Sequence, residues 1–463
     1  MFRFRRGGKD LAAPARRMEG VAVRPVSTLM MALLAILLML FATACGGESG
    51  AKTARNRPPD GAAMRVAFVL ADGRLVAHDA ASGTRLWQFT PSHASTMPSM
   101  AARDGVLYLS DGDLYAMHAR DGRLLWQTSI GGGAFVSPLT VQGNMVYVES
   151  SGTVYAVRLG NGQLAWHAAV GAGLNALLAY GATVYVAAGN AGGVTALDAS
   201  DGTVRWRSES EFGADMAYAL QIADDTLYVG TTFNRLLALN PADGKERWAY
   251  QDPSAQALSQ PAIAGGNVYV TVRRAAASIS GTGGIGARMV DTVIALRASD
   301  GSPLWQRQLS VGQAAAPIAA FFGPLVSNDG STVYAVAGPT AGDVVALSAM
   351  DGRVRWQASG SNTLPALQTA GDGTDSTLYT GSDSGVVTAL HATDGRARWH
   401  AAVWQQSAIL RFVATQGTLY VATPDGTCTA MDQNTGHVRW QAVGGDASLS
   451  PAIPVPTTIL VTG

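Results

Sequence analysis

Short apolar or β-branched runs alternate with polar, glycine-bearing turns along almost the whole chain from residue 64 onward. In one stretch, Val184-Tyr185-Val186 is followed by Val194-Thr195-Ala196-Leu197. The turn Ser200-Asp201-Gly202-Thr203 then leads into Val204-Arg205-Trp206. Runs this short, broken by Asp-Gly or Asn-Gly, predict antiparallel strands joined by hairpins. The turn glycine supplies a positive φ at little steric cost.

The pattern repeats. Nine of the ten tryptophans share one frame: Trp87, Trp126, Trp166, Trp206, Trp248, Trp305, Trp356, Trp399 and Trp440. They lie 39–43 residues apart, except for intervals of 57 and 51 before Trp305 and Trp356. A glycine stands four residues before each, from Gly83 to Gly436. An alanine stands ten residues before each, from Ala77 to Ala430. Between units sits one more run, often opened by proline (Pro98, Pro138, Pro261, Pro317, Pro365, Pro451). Proline is tolerated at a strand start or on an edge. Each period therefore predicts four short strands, which is the pattern of a propeller blade. A lone four-stranded sheet has nothing to bury a tryptophan against. Blades packed face to face solve this, with the ring filling the gap to the next blade and the alanine leaving room on a facing surface.

No in-frame tryptophan is followed by aspartate, so the WD40 pattern is absent, and no glycine doublet recurs as in kelch repeats. The frame resembles the pyrroloquinoline-quinone (PQQ)-type repeat, roughly A-L-D-A-x-x-G-x-x-x-W, best matched by Ala196-Leu197-Asp198-Ala199 through Trp206 and by Ala430-Met431-Asp432 through Trp440. The resemblance spans residues 66–463 and implies an all-β, PQQ-like β-propeller of four-stranded antiparallel blades. The motif aspartate is kept at Asp79, Asp198 and Asp432 but becomes Asn240, His118, Arg158, Arg297, Ser348 or His391 elsewhere. The family usually closes eight blades, so eight is the expected number, with one of the nine units incomplete or displaced. The first unit lacks a leading strand. The chain ends in a proline-bearing stretch and the apolar run Thr458-Ile459-Leu460-Val461, a strand expected to complete the first blade and close the ring.

The N-terminus reads differently. Residues 1–28 are basic, and 29–41 form an apolar run too short for a confident transmembrane helix. The run suits the apolar core of a secretory signal. Ala42-Thr43-Ala44 then precede Cys45-Gly46-Gly47. This resembles a bacterial lipoprotein signal, in which the cysteine is acylated and becomes the new N-terminus. The expected organisation is a signal peptide over 1–44, lipidation at Cys45, a flexible tether over 45–63 and a propeller over 64–463. Ordinary cleavage and an uncleaved anchor are the alternatives, and Met18 and Met30 are alternative starts. The implied location is extracytoplasmic and membrane-anchored, with either membrane open.

Composition narrows the chemistry. Lysine plus arginine and aspartate plus glutamate each number 33, so no electrostatic case for nucleic acid arises. Seven scattered histidines and two cysteines give no metal-ligand spacing. No nucleophile elbow, His-Glu-x-x-His or phosphate loop is present, so no catalytic residue is assigned. Enzymes that share the repeat typically carry an adjacent Cys-Cys disulfide over the cofactor and a calcium site. Cys45 and Cys428 are far apart in sequence, and no PQQ or other cofactor is expected. Cys428 reads as a buried free thiol.

Lipoprotein signal, tether and PQQ-type propeller together resemble the lipoprotein B subunit family of the outer-membrane β-barrel assembly machine. That resemblance implies a non-enzymatic scaffold holding envelope protein partners on a propeller face. A carbohydrate- or small-ligand-binding or sensor propeller is the other class left open, and a PQQ-dependent dehydrogenase is disfavoured. Two features could mark a working face. Residues 273–291 form a long insertion in the Trp305 unit, with Arg273, Arg274 and Arg288 as candidate contact residues or an ordinary surface insertion. Trp404 is the one tryptophan out of frame, either a contact residue or core filling.

Overall fold

The computed structural model describes residues 66–461, apart from 72–73, 93–98, 132–138, 172–175, 189–192, 209–216, 280–284, 314–322, 338–342, 360–362, 371–375, 383, 404–410, 424–426 and 444–457. Cys45, the tether and Trp404 lie outside the described residues. Among the described residues every regular element is a strand.

The strands form nine antiparallel sheets, one for each Gly-x-x-x-Trp unit. The fourth blade shows the plan: Leu177–Tyr180, Thr183–Ala188, Gly193–Asp198 and Val204–Arg207, in spatial order. The first strands of neighbouring blades lie against one another around much of the ring, so they form the inner wall. The tryptophan-bearing strands lie outermost. Nine blades replace the eight expected from the family, because no unit is displaced. The first blade takes its inner strand from the chain end: Thr458–Val461 pairs with Val66–Ala71, Phe68 opposite Leu460. Of the prolines between units, Pro261 directly precedes the strand Ala262–Ala264. Pro365 lies inside Thr363–Ala370, where the register slips between Leu364 and Gln368, so the ladder loses a donor at an irregularity.

Each blade carries one row of three residues across its strands. Ala196 pairs with Trp206 on one side and with Tyr185 on the other. The same row recurs in every blade, with Phe68 replacing tyrosine in the first. Facing pairs share one side of a sheet, so the alanine sits between two large rings. Tyr185 and Trp206 meet above it with centroids 5.9 Å apart, and the other rows lie between 5.7 and 6.0 Å. The alanine is thus small because of its own blade, not to leave room on the facing one.

Room on the facing blade is made by the glycine. Trp166 lies against Gly202 of the next blade, where a Cβ would sit 2.5 Å from the ring. All nine glycines receive the preceding tryptophan this way, at 2.4–2.6 Å. Each indole Nε1 also donates to a turn carbonyl of the next blade: Trp166 to Ala199, and Trp206 to Pro241, at 3.0 and 2.9 Å. In six blades the tyrosine hydroxyl of the same row donates to that same oxygen, as Tyr185 does to Pro241. The last interface obeys the rule: Trp440 covers Gly83 and donates to Ala80 at 3.0 Å, closing the ring.

The turn explains why the motif aspartate is dispensable. In every unit the glycine N–H donates to the backbone carbonyl of the motif position, as Gly202 does to Asp198 and Gly162 to Arg158. That bond needs no particular side chain. The residue before the glycine supplies the capping oxygen instead: Asp201 accepts from the Thr203 N–H, Asn161 from Gln163 and Ser82 from Thr84.

One unit departs in the core. The residue after the row alanine is a buried aliphatic or methionine in eight units, from Met117 to Met431, but His78 in the first. His78 stacks on Trp440 across the closing seam, centroids 5.9 Å apart. Its Nδ1 is 3.0 Å from the Gly83 carbonyl, so Nδ1 carries the proton. Its Nε2 is buried with no hydrogen-bond partner among the described residues. Burial lowers its pKa, the Gly83 carbonyl opposes this, and nearby Arg85 adds to the lowering.

Two outcomes follow from this packing. Gly202→Ala and Gly105→Ala both place an alanine at positive φ, but a Cβ at Gly105 would meet nothing within 4 Å. Gly105→Ala should cost about 1 kcal/mol for its backbone. Gly202→Ala should cost about 1–3 kcal/mol more through overpacking. Denaturant midpoints decide; equal losses would refute the docking account. A depressed histidine pKa gives stability that is complete above the ordinary histidine value of about 6.5 and falls as pH drops below it. His78→Leu should therefore flatten the fall in Tm between about pH 7 and 5. Parallel curves for parent and variant would count against a seam role.

Candidate functional site

The sixth blade breaks the ninefold pattern. Its second and third strands, Asn267–Ile279 and Ile285–Arg297, are 13 residues each, where most equivalents have five or six. They stay in register from Asn267 opposite Arg297 to Ile279 opposite Ile285. The outer strand Pro303–Gln313 follows them, reaching Gln313 opposite Arg288. What the sequence marks as an insertion is a three-stranded arm continuing the blade beyond its neighbours.

Two arginines fix the base of that arm. Arg273 faces Asp291 directly across the hairpin. Its Nε and Nη2 donate to Oδ1 and Oδ2 at 2.7 and 2.9 Å, a two-point pair with both side chains buried. Arg274 donates through Nε to Asp252 at 2.7 Å and through Nη1 to Thr292 at 3.1 Å. Burial alone would raise the Asp252 pKa, but hydrogen bonds from Ser254 and Arg274 hold it below the usual carboxylate range. Both guanidinium groups are thus spent inside the molecule, and the charge they carry is neutralised there. Arg288 stands further out, in register with Ala276 and Gln313. The structure brings Arg273 and Arg274 to the neck of the arm and Arg288 to its shaft.

The other candidate chemistry stays dispersed. Among the described residues no group of three or more His, Cys, Asp or Glu side chains is placed to hold a metal ion. Cys428 is fully buried, and burial pushes its thiol up to about 12. It packs with Tyr420, Ala430 and Trp440 as a small apolar residue. The nine in-frame tryptophans are committed to the blade interfaces.

A family model described as the outer membrane protein assembly factor BamB matches residues 71–215, 190–364 and 364–463. The chain belongs to the BamB family. No curated protein matches it. Among solved structures, a computationally designed protein, Ika8, aligns at 16% identity over 74% of this chain and 97% of its own, with a TM-score of 0.50. BamB from Moraxella catarrhalis aligns at 18% identity over 72% of this chain and 95% of its own, with a TM-score of 0.47. A quinohaemoprotein alcohol dehydrogenase from Pseudomonas putida HK5 aligns at 15% identity over 80% and 72%, TM-score 0.47. Likeness at such identity speaks to the fold alone.

Within this BamB-family chain, three features escape a reading of the sequence: the second aromatic residue of each row (tyrosine in eight blades, Phe68 in the first), the second role of the glycine and the histidine at the seam. The glycine is plain in sequence, but its partner is a tryptophan one whole unit earlier. For the arm, Asp291→Ala would leave Arg273 buried and uncompensated, costing about 3–5 kcal/mol. The double change Arg273→Met with Asp291→Leu should recover most of that loss. Chemical denaturation measures both; a double variant as weak as the single one would show that the pair does more than hold the neck.

Proposed function

We propose that this protein is a non-enzymatic, lipid-anchored envelope scaffold that holds partner proteins on a propeller face. The family match across residues 71–463, to a family described by its role in outer membrane protein assembly, is the observation that carries the reading. The arm adds a local argument. A ring of nearly equivalent blades offers nearly equivalent surfaces, so specificity needs a break in the repeat, and the sixth blade supplies the largest one. Its base is held by a buried ion pair, which orients the arm without a loop's conformational entropy. The Cys45 acyl chain would keep the propeller beside a membrane.

The test is capture from detergent-solubilised envelope with the tagged mature protein. The expected result is recovery of barrel-assembly proteins, reduced when residues 276–286 are replaced by a two-residue turn. Co-purification of a soluble small ligand with no protein would overturn the scaffold reading. The mass of the purified protein tests the anchor separately, through acylation at Cys45.

A further inference from the structure

We propose that the closing seam between the ninth and first blades is an acid-operated latch: protonation of His78 parts this one interface while the other eight stay shut. The inference concerns regulation of the ring and does not rest on what the ring holds.

The seam differs from its eight counterparts in two ways. Its partners are not neighbours in sequence, since Trp440 rests on Gly83. It also carries an imidazole where the others carry a buried aliphatic or methionine, such as Leu197 or Met431.

Contacts across the seam converge on the turn that His78 supports. The Trp440 indole and the Tyr420 hydroxyl both donate to the Ala80 carbonyl at 3.0 Å. The indole lies on Gly83, whose carbonyl accepts from His78 Nδ1 at 3.0 Å. The imidazole also stacks on that indole. One side chain therefore braces the floor of the contact and touches the ring laid on it.

An added proton goes to Nε2, which is buried and has no hydrogen-bond partner among the described residues. The surrounding groups receive a charge poorly. Within its sheet His78 pairs with Ala67 on one side and Arg85 on the other, and Arg85 repels an imidazolium. Asp79, next along the strand, accepts from the Ala81 and Ser82 N–H groups of its own turn. Across the seam the ninth blade presents Trp440, Tyr420 and Cys428. Burial pushes the Cys428 thiol up to about 12, so it stays neutral. Arg439, beside Trp440, is engaged by Asp432 and Thr418. The closing strand Thr458–Val461 carries no charge. Two contacts favour an imidazolium: the Gly83 carbonyl and the indole face. Burial is the largest influence, and it lowers the pKa.

The sign of the response follows. Opening hydrates His78 and restores the ordinary value of about 6.5, so the open form gains up to about tenfold per pH unit below that value, until the pH reaches the closed-state pKa. Thr458–Val461 stays paired with Val66–Ala71 in this scheme, so the parted ring keeps its first blade.

Cys428 reports the opening directly, because it lies in one cluster with Ala67, Ala80 and Trp440 at the seam. The purified full-length protein is treated with a pyridyl disulfide, which reacts with thiols in acid, at about pH 7.5 and about pH 5. Modification is read by mass on the Cys428 peptide, so Cys45 does not enter. The rate is divided by that of an unstructured cysteine peptide at the same pH. The normalised rate should rise about tenfold on acidification. His78→Leu, which gives the seam the aliphatic side chain of the other interfaces, should be slow at both pH values. Val194 holds the place of Cys428 in the fourth blade, two residues before Ala196, and faces the fifth. Val194→Cys with Cys428→Ala should stay slow in acid. The proposal is overturned if Cys428 reacts no faster in acid, or if folded His78→Leu keeps the acid response. It is also overturned if the Val194→Cys reporter reacts as readily as Cys428, which would make the acid effect general unfolding. Should His78→Leu fail to fold, the two reporters still decide.

Discussion

Everything in this ring depends on one contact: an indole laid on the bare backbone of a glycine in the next blade. The ring needs a flat, close floor, and any Cβ there would stand 2.4–2.6 Å from it. The same tryptophan then donates to a carbonyl of the turn that the glycine closes, so stacking and hydrogen bonding fix one geometry together. A buried carbonyl has two lone pairs, and in six blades the tyrosine hydroxyl takes the second. Alanine follows as a consequence. Two aromatic rings meet at about 6 Å only if the residue between them is small.

That hierarchy explains what was legible in the chain. The third and fourth strands are joined by a turn of constant length, so alanine, glycine and tryptophan keep fixed offsets and the repeat can be counted directly. Strand number, hairpin order and closure by Thr458–Val461 follow from it. The tyrosine belongs to the second strand, across a hairpin whose length varies from Gly112 alone to the long arm of the sixth blade. Its offset from the tryptophan therefore wanders, and the row is invisible without the sheet register. Blade number was obscured for another reason. A prior for eight competed with a count of nine, and nothing in the Gly–Trp interface favours one closure over the other.

The arm shows the same limit for the surface. Its length could be read from the 57-residue interval, but three arginines in sequence did not reveal which would face inward. Arg273 faces a carboxylate on the neighbouring strand, and pairing in a low-dielectric site consumes its charge. Placement relative to the strand pair, rather than residue type, separates a structural arginine from one available to a partner. The family is known from the repeat; the surfaces that distinguish this member are the positions where the repeat is broken.

Closure of the ring also has a kinetic side. Trp440 meets Ala80 across 360 residues of chain, and the first blade waits for a strand that begins at Thr458. Eight interfaces join neighbours in sequence and can form as soon as the second partner exists. The ninth can form only after the chain through Thr458–Val461 is present, and it bears the loop-closure entropy of nearly the full propeller. Until then the first blade exposes the unpaired edge of Val66–Ala71 to any other strand in reach. A chain that emerges from one end has a vulnerable interval set by the distance from the first blade to the strand that completes it, and arrival of Thr458–Val461 ends it.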